Sequence, residues 1–441
     1  MMKKRLIIGL MGLMSLMSLS AKAQNGFNLP YSQYGLGVSE LPFNMPVASR
    51  MGGVVYTRQG NNIINPFNPA SYGSIEKESF VFDMGFNIQL SRLTSGDQRA
   101  KDADGNIGYL AIGMPITDWW KLSAGLMPYS SVDYFTVVPS AKGSNMKTEF
   151  SGDGGANEVF AGMAFNLLDK KSDKLQVGFN VGYLTGKIVK LMSYVTTDTS
   201  TYNINSRKAQ ELRLGNVLLD FGVQYRHALG ERYTLGVGID YKPYMNMKVK
   251  ENAMIYTYHA TTEALLDTIF PARGEDPAQR GRLEQAHTVG VGVNLERNGL
   301  WQVAADMTFG GWHGLRHTEP EGFDIFGHSP LRGGRYSSYA LGFEKMVNMN
   351  AQNYIGRLGV SVGAHMEQGL MYMTTASSER RVDQWGVGAG ITLPMRKGRS
   401  LLTISVGYSS MGDKDIMRRE SVTFGIAVSS CERWFVKRKY N

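Results

Sequence analysis

The pentapeptide Gly359-Val360-Ser361-Val362-Gly363 has the spacing of a hydrolase nucleophile elbow, in which a strained strand-to-helix turn lifts the serine hydroxyl toward an acyl carbon. Here Leu358, Val360 and Val362 alternate through it, so Ser361 is expected inside a strand, and in a chain with 52 glycines the match is expected by chance. The Gly-x-Gly pieces at Gly236 and Gly386 lack a following helix to hold a phosphate. Asp102-Ala103-Asp104-Gly105-Asn106 gathers oxygen donors, yet the bidentate glutamate of a calcium loop is missing, and a polar hairpin tip is the expected reading. His313 and His317 have neither a third ligand nor a helix to bring them together. Cys431 is the one cysteine, which excludes an internal disulfide and leaves a packing residue. No catalytic residue, no metal and no other cofactor is therefore expected.

The elements that would position any site are strands. From Glu78 to Leu90, Phe80, Phe82, Met84, Phe86, Ile88 and Leu90 fall on one face and Ser79, Asp83, Gly85, Asn87 and Gln89 on the other, a separation that only a period of two produces. The same dyad returns at Leu175 to Tyr183, Val217 to Tyr225, Leu235 to Tyr241 and Val422 to Val428. Fourteen such segments are read: 78 to 90, 107 to 116, 120 to 130, 157 to 168, 174 to 187, 211 to 226, 233 to 247, 287 to 296, 300 to 310, 335 to 346, 353 to 366, 384 to 394, 400 to 410 and 420 to 430. Their connections alternate short and long, the long ones being stretches such as 131 to 156, 188 to 210, 248 to 286 and 311 to 334. A β-sandwich does not require that division, whereas a transmembrane barrel, with tight turns on one side and long loops on the other, does. The expected fold is all-β: a fourteen-stranded antiparallel transmembrane β-barrel spanning 78–430, with a basic periplasmic tail at 431–441.

Lys3, Lys4 and Arg5, an apolar run from Leu6 to Leu19 and Ala21-Lys22-Ala23 read as a signal peptide, 1–23. Without its four cations the formal charge of +9 falls to +5 (43 basic against 38 acidic residues). That is too mild for a nucleic-acid binder, and no basic run is interleaved with aromatics. A bacterial outer membrane is the expected location, with outer-membrane lipid as the surrounding partner.

Residues 24–77 do not alternate, yet carry Phe27, Tyr31, Tyr34, Phe43 and Phe67. A disordered leader would be poor in aromatics, so this stretch is expected as a hatch folded inside the barrel. It holds Met51-Gly52-Gly53 and Asn65-Pro66-Phe67-Asn68-Pro69-Ala70-Ser71-Tyr72 directly before the first strand. On these motifs, with Asn68, Pro69 and Ala70 the most specific, the chain resembles the FadL/TodX family of outer-membrane hydrophobic-compound transporters. Pro30-Tyr31-Ser32-Gln33-Tyr34-Gly35-Leu36-Gly37 and Glu432-Arg433-Trp434-Phe435 resemble its Bacteroidetes branch.

The resemblance implies passive uptake of hydrophobic molecules such as long-chain fatty acids, with ligand leaving sideways past an inward kink in the third strand. Pro128 is the candidate for that kink, or for the end of the strand at the outer rim. Thr262 to Phe270 reads as a short helix stopped by Pro271. Its Leu265, Leu266, Ile269 and Phe270, with Trp312, Phe323 and Phe326 of the next loop, would capture a greasy ligand or fold over themselves. Lys242, Arg357, Arg226 and His365 are candidate lumen partners for a ligand carboxylate, or else neutralise Asp83, Asp220, Asp240, Asp306 and Glu344. The expected partner is a hydrophobic small molecule bound by a monomer. The other option is a structural barrel with a secretion-machinery partner and no small-molecule transport.

Overall fold

The computed structural model describes residues 30–33, 36–39, 42–43, 45–139, 145–196, 204–271, 280–311, 335–369, 372–374, 379–395, 399–414 and 416–433. The signal peptide, His313, His317 and the residues after 433 lie outside them. The strands are β1 (Ser79–Ser95), β2 (Gln98–Pro115), β3 (Trp120–Pro139), β4 (Met146–Asp169), β5 (Asp173–Thr196), β6 (Ile204–Leu229), β7 (Tyr233–Lys242), β8 (Met245–His259), β9 (Leu265–Pro271) and β10 (Arg280–Gln285). They continue as β11 (Thr288–Arg297), β12 (Trp301–Gly311), β13 (Arg335–Lys345), β14 (Gly359–Gln368), β15 (Tyr372–Thr374), β16 (Glu379–Arg381), β17 (Gln384–Met395), β18 (Ser400–Asp413) and β19 (Met417–Arg433).

Neighbours pair antiparallel around a cylinder that closes where β1 meets β19, from Ser79 opposite Arg433 to Thr94 opposite Arg418. β7 and β8 are two parts of one staff interrupted at Pro243-Tyr244, and β10 and β11 are two parts of another. β9 only flanks β8, and β15 with β16 forms a separate hairpin. Fourteen staves remain, the number read from the alternation. Closure pairs the first strand with the last, which is what lets strands stand in hydrocarbon.

The oily face points outward. Val217, Leu219, Phe221, Val223 and Tyr225 of β6, Val289, Val291, Val293 and Leu295 of β11, and Ile404 and Val406 of β18 are all exposed. A belt this continuous is stabilised by lipid, not by water. The alternate residues, among them Asp220, Gln224, Asn294 and Ser405, are buried in the lumen.

The long connections differ from the sequence reading. Most of 131 to 156, 188 to 210 and 248 to 286 is strand: β3 and β4 run on to Pro139 and back from Met146, and β6 is 26 residues long against 11 for β13. At about 3.4 Å per residue and a tilt near 40°, β6 rises about 65 Å, well beyond an apolar band of about 25 Å. One side of the barrel therefore stands as a tall wall above the rim opposite the chain ends. Thr262 to Phe270 is not a helix either; its second half is the edge strand β9, laid against β8. The last strand runs to Arg433, three residues past the expected end.

Candidate functional site

The lumen is filled by the segment before β1. A short helix, Pro46–Ser49, is followed by an irregular run and by a 3-10 turn, Pro69–Ser74. Each piece is fixed to a different part of the wall. Arg50 Nη1 meets Glu344 Oε1 of β13 at 2.5 Å, both side chains nearly buried. Asp306 Oδ2 of β12 accepts the backbone N–H groups of Val55 at 2.6 Å and Tyr56 at 2.8 Å. Asp83 of β1 accepts the Ile64 N–H at 3.1 Å, the Tyr109 hydroxyl at 2.7 Å and the Ser429 hydroxyl at 2.9 Å. Asn180 of β5 donates to Pro66 O and accepts from the Tyr72 hydroxyl, both at 3.0 Å. At several points where the segment's own backbone packs hard against the wall, the wall residue is glycine. A Cβ at Gly388 would stand 1.9 Å from Ser49 O, and one at Gly238 would stand 2.1 Å from Tyr56 O.

Asn68, Pro69 and Ala70 belong to this packing. Asn68 Oδ1 accepts the Ala70 N–H at 3.1 Å and caps the 3-10 turn, and its Nδ2 donates to Tyr56 O at 2.8 Å. Pro69 lies where a Cβ on Gly178 or Gly222 would clash.

Above this plug the interior turns apolar. Leu36, Val132, Tyr134, Leu184, Ile188, Leu212, Leu214, Met247 and Val249 form one buried cluster, with Tyr129, Phe150 and Met245 against it. Beside it the wall is unzipped. β2 and β3 pair only from Leu110 opposite Leu126 to Pro115 opposite Lys121. Higher up, β2 pairs with β1 and β3 with β4.

Pro128, which cannot donate to a ladder, sits at the parting with a register shift between it and Ser130. It does not end the strand, which continues to Pro139. Just beyond the bulge, Gly155 and Gly154, opposite Ser131 and Val132, have φ of +159° and +119°. Ser131 turns its N–H and C=O to Val38, the two bonds 3.0 Å each, so the leading segment supplies the strand partner that β2 does not. Replacing Val38 by Pro removes one of these donors. The Ser131 amide keeps its acceptor, Val38 O, but the weakened bridge should open more often and this amide should exchange severalfold faster with deuterium; unchanged exchange would mean that the lost bond adds nothing to the bridge.

The four lumen cations are not gathered into one carboxylate site. Arg226 pairs with Glu296 near the rim that carries the chain ends. Arg357 is not on a strand. It ends the turn helix Tyr354–Arg357, capped by Asn353, and its Nε donates to Ala351 O at 3.0 Å outside the lumen. His365 stacks on Phe43 of the plug, ring centroids 3.8 Å apart, and neither ring nitrogen has a hydrogen-bond partner among the described residues. Lys242 lies deepest, 5.8 Å from the Phe67 ring centroid and within the field of Asp220, Asp240 and Glu158. The acids expected to neutralise these cations mostly hold the plug instead.

Leu265 and Leu266 are exposed on and beside the wall edge. The side chains of Ile269 and Phe270, and Trp312, Phe323 and Phe326 altogether, lie outside the described residues. Ser361 is buried in β14 with its hydroxyl 3.3 Å from Gly390 O, in regular pairing on both sides.

No curated protein matches the sequence. The family model described as BamG matches residues 1–441. The chain belongs to the BamG family. In fold, this BamG-family chain is similar to solved outer-membrane channels. The CymD monoaromatic hydrocarbon channel aligns with a TM-score of 0.55 at 12% identity, over 91% of this chain and 100% of that one. A FadL homologue of Pseudomonas aeruginosa gives 0.54 at 12%, over 93% and 100%. The Pseudomonas putida toluene transporter TodX gives 0.52 at 14%, over 89% and 98%. The FadL/TodX resemblance read from the hatch motifs thus holds for the fold, while the family to which the BamG chain belongs carries a different name.

Proposed function

We propose that the barrel is an outer-membrane channel for passive uptake of hydrophobic compounds, long-chain fatty acids among them, with no covalent step. The observation that carries this reading is the buried apolar cluster around Leu184 and Ile188 lying beside an unzipped stretch of wall. A greasy molecule needs shelter from the polar surface layer and an exit toward hydrocarbon, and these two features supply both without passage through the plug. Leu265 and Leu266 on the tall wall would receive it first.

The test is retention of radiolabelled palmitate or toluene by the purified full chain in nanodiscs. Wild type should hold about one molecule per barrel, and Leu184→Trp, which overpacks that cluster, should hold at least tenfold less. Equal retention by both, or none by wild type, overturns the reading.

A second reading is a structural partner in a secretion or assembly machinery. It is supported by the plug, whose bonds to β1, β5, β12 and β13 leave it clamped on all sides, and by a family distinct in name from the hydrocarbon channels. Recovery of the chain from native membranes in one stable multi-protein complex, with an empty lumen, would favour it.

A further inference from the structure

On the outer face of the tall wall, cations stand directly opposite one another. Lys187 of β5 faces Arg213 of β6 in register, and Arg213 faces Lys250 of β8. One step nearer the belt, Lys248 is exposed on the same face. Like charges in directly opposed positions repel and weaken a sheet, so a row of three across adjacent strands calls for an anion. The protein supplies little. Glu211 binds Lys187 at 2.8 Å and Arg213 at 2.5 Å. Asp153 of β4 lies one position diagonal to Lys187, opposite Val189. Lys187, Arg213, Lys248 and Lys250 remain exposed, with more than half of the Lys187 and Arg213 side chains open to solvent.

The height of the row selects its partner. On β5 the outward series is Val181, Tyr183, Thr185, Lys187; on β6 it is Leu219, Val217, Gly215, Arg213. Tyr183 and Val217 are the last exposed apolar members below the row, and Tyr241 and Tyr244 are exposed on the adjoining β7–β8 staff. Aromatics of this kind mark a membrane interface. The row begins four residues above it, about 10 Å in height for a tilted strand, and long basic side chains reach down from there. At strand spacings of about 4.8 Å, three strands span about 10 Å, room for a phosphate group.

We propose that this face binds the phosphorylated headgroup of an outer-leaflet lipid, with Arg213 and Lys250 at its centre and Lys187 and Lys248 beside them. A free anion would meet the same side chains, but only a lipid also lies along the Tyr183, Val217 and Leu219 surface directly below. The site rests on the membrane orientation used above and is independent of what the lumen carries.

The experiment is native mass spectrometry of the full chain in detergent, titrated with diphosphorylated lipid A, with the same lipid A dephosphorylated, or with inorganic phosphate. One lipid A per barrel should be retained, and the Arg213→Gln/Lys250→Gln double variant should retain at least tenfold less. That variant should still run as a compact, heat-modifiable barrel and bind palmitate as wild type does. Equal retention of dephosphorylated lipid, unchanged retention in the double variant, or inorganic phosphate competing at concentrations comparable to those of lipid A overturns the proposal. Loss of palmitate binding alone would strike only the channel reading.

Discussion

Asp306→Ala should turn a closed barrel into a leaking one. Asp306 Oδ2 is the acceptor for two successive plug N–H groups, and the residue is only 4% exposed. Removing it leaves both donors buried without an acceptor, at about 1–3 kcal/mol each, because no water can replace a carboxylate in a lumen packed by Tyr56 and Val55. The cheapest relief is for residues 51–58 to lift away from β12. In planar bilayers the variant should show conductance several-fold above wild type, and protease should cut the plug while the barrel stays folded. Asp306→Asn keeps an oxygen acceptor without its charge and should fall between the two, since charge-assisted bonds are roughly twice as strong as neutral ones. Wild-type conductance in Asp306→Ala would mean that the remaining clamps suffice and that this pair of bonds closes nothing.

The second large effect is expected from the wall. Gly388→Val places carbon where Ser49 O now stands, 1.9 Å from the ideal Cβ position. Neither partner yields easily: one is a paired strand of the closed sheet, and the other ends a helix whose Pro46, Val47 and Ala48 are buried. Overpacking of this kind costs about 3 kcal/mol, and the plug, not the hydrogen-bonded wall, is the part that moves. A folded, heat-modifiable barrel with a protease-sensitive segment around residues 45–58 is the expected phenotype. Gly407→Ala is the matched comparison, because its Cβ would lie 3.6 Å from Val387 O, an ordinary contact, and it should behave as wild type. If Gly388→Val kept its plug protected, the close contact would not be what seats the helix.

The same physics explains what the sequence could reveal. Where lipid touches one face and a packed lumen the other, the chain must alternate, and Val217 to Tyr225 announces β6 without help. Above the belt that demand ends. Lys187, Val189 and Leu191 follow one another on the outward face of β5, so the ladder continues although the oily-polar rhythm has faded, and strands pass for loops. Thr262 to Phe270 misled because Ala264, Leu265 and Ile269 suit a helical face, while the ladder of β8 offers β9 a backbone partner that local spacing does not announce.

Arg357 was misplaced by a cap. Asn353 accepts the Gly356 N–H at 2.8 Å and holds a single helical turn where the alternation suggested strand. The plug clamps were illegible for a different reason: Asp306 and Val55 are 251 positions apart, and no local pattern links them. The hatch motif at Asn68 was readable because its bond to the Ala70 N–H is local.

The circumference joins Ser79 to Arg433, the earliest strand to the latest, and the residues that fill the bore precede them both. Pushing Ser49 or Tyr56 into a finished hoop would drag them past backbone on every side, with Gly388 and Gly238 leaving no slack. Winding the staves around a stopper already in position avoids that friction. For a cylinder so tightly corked, insertion of the cork and the final zippering of the first and last staves become one event.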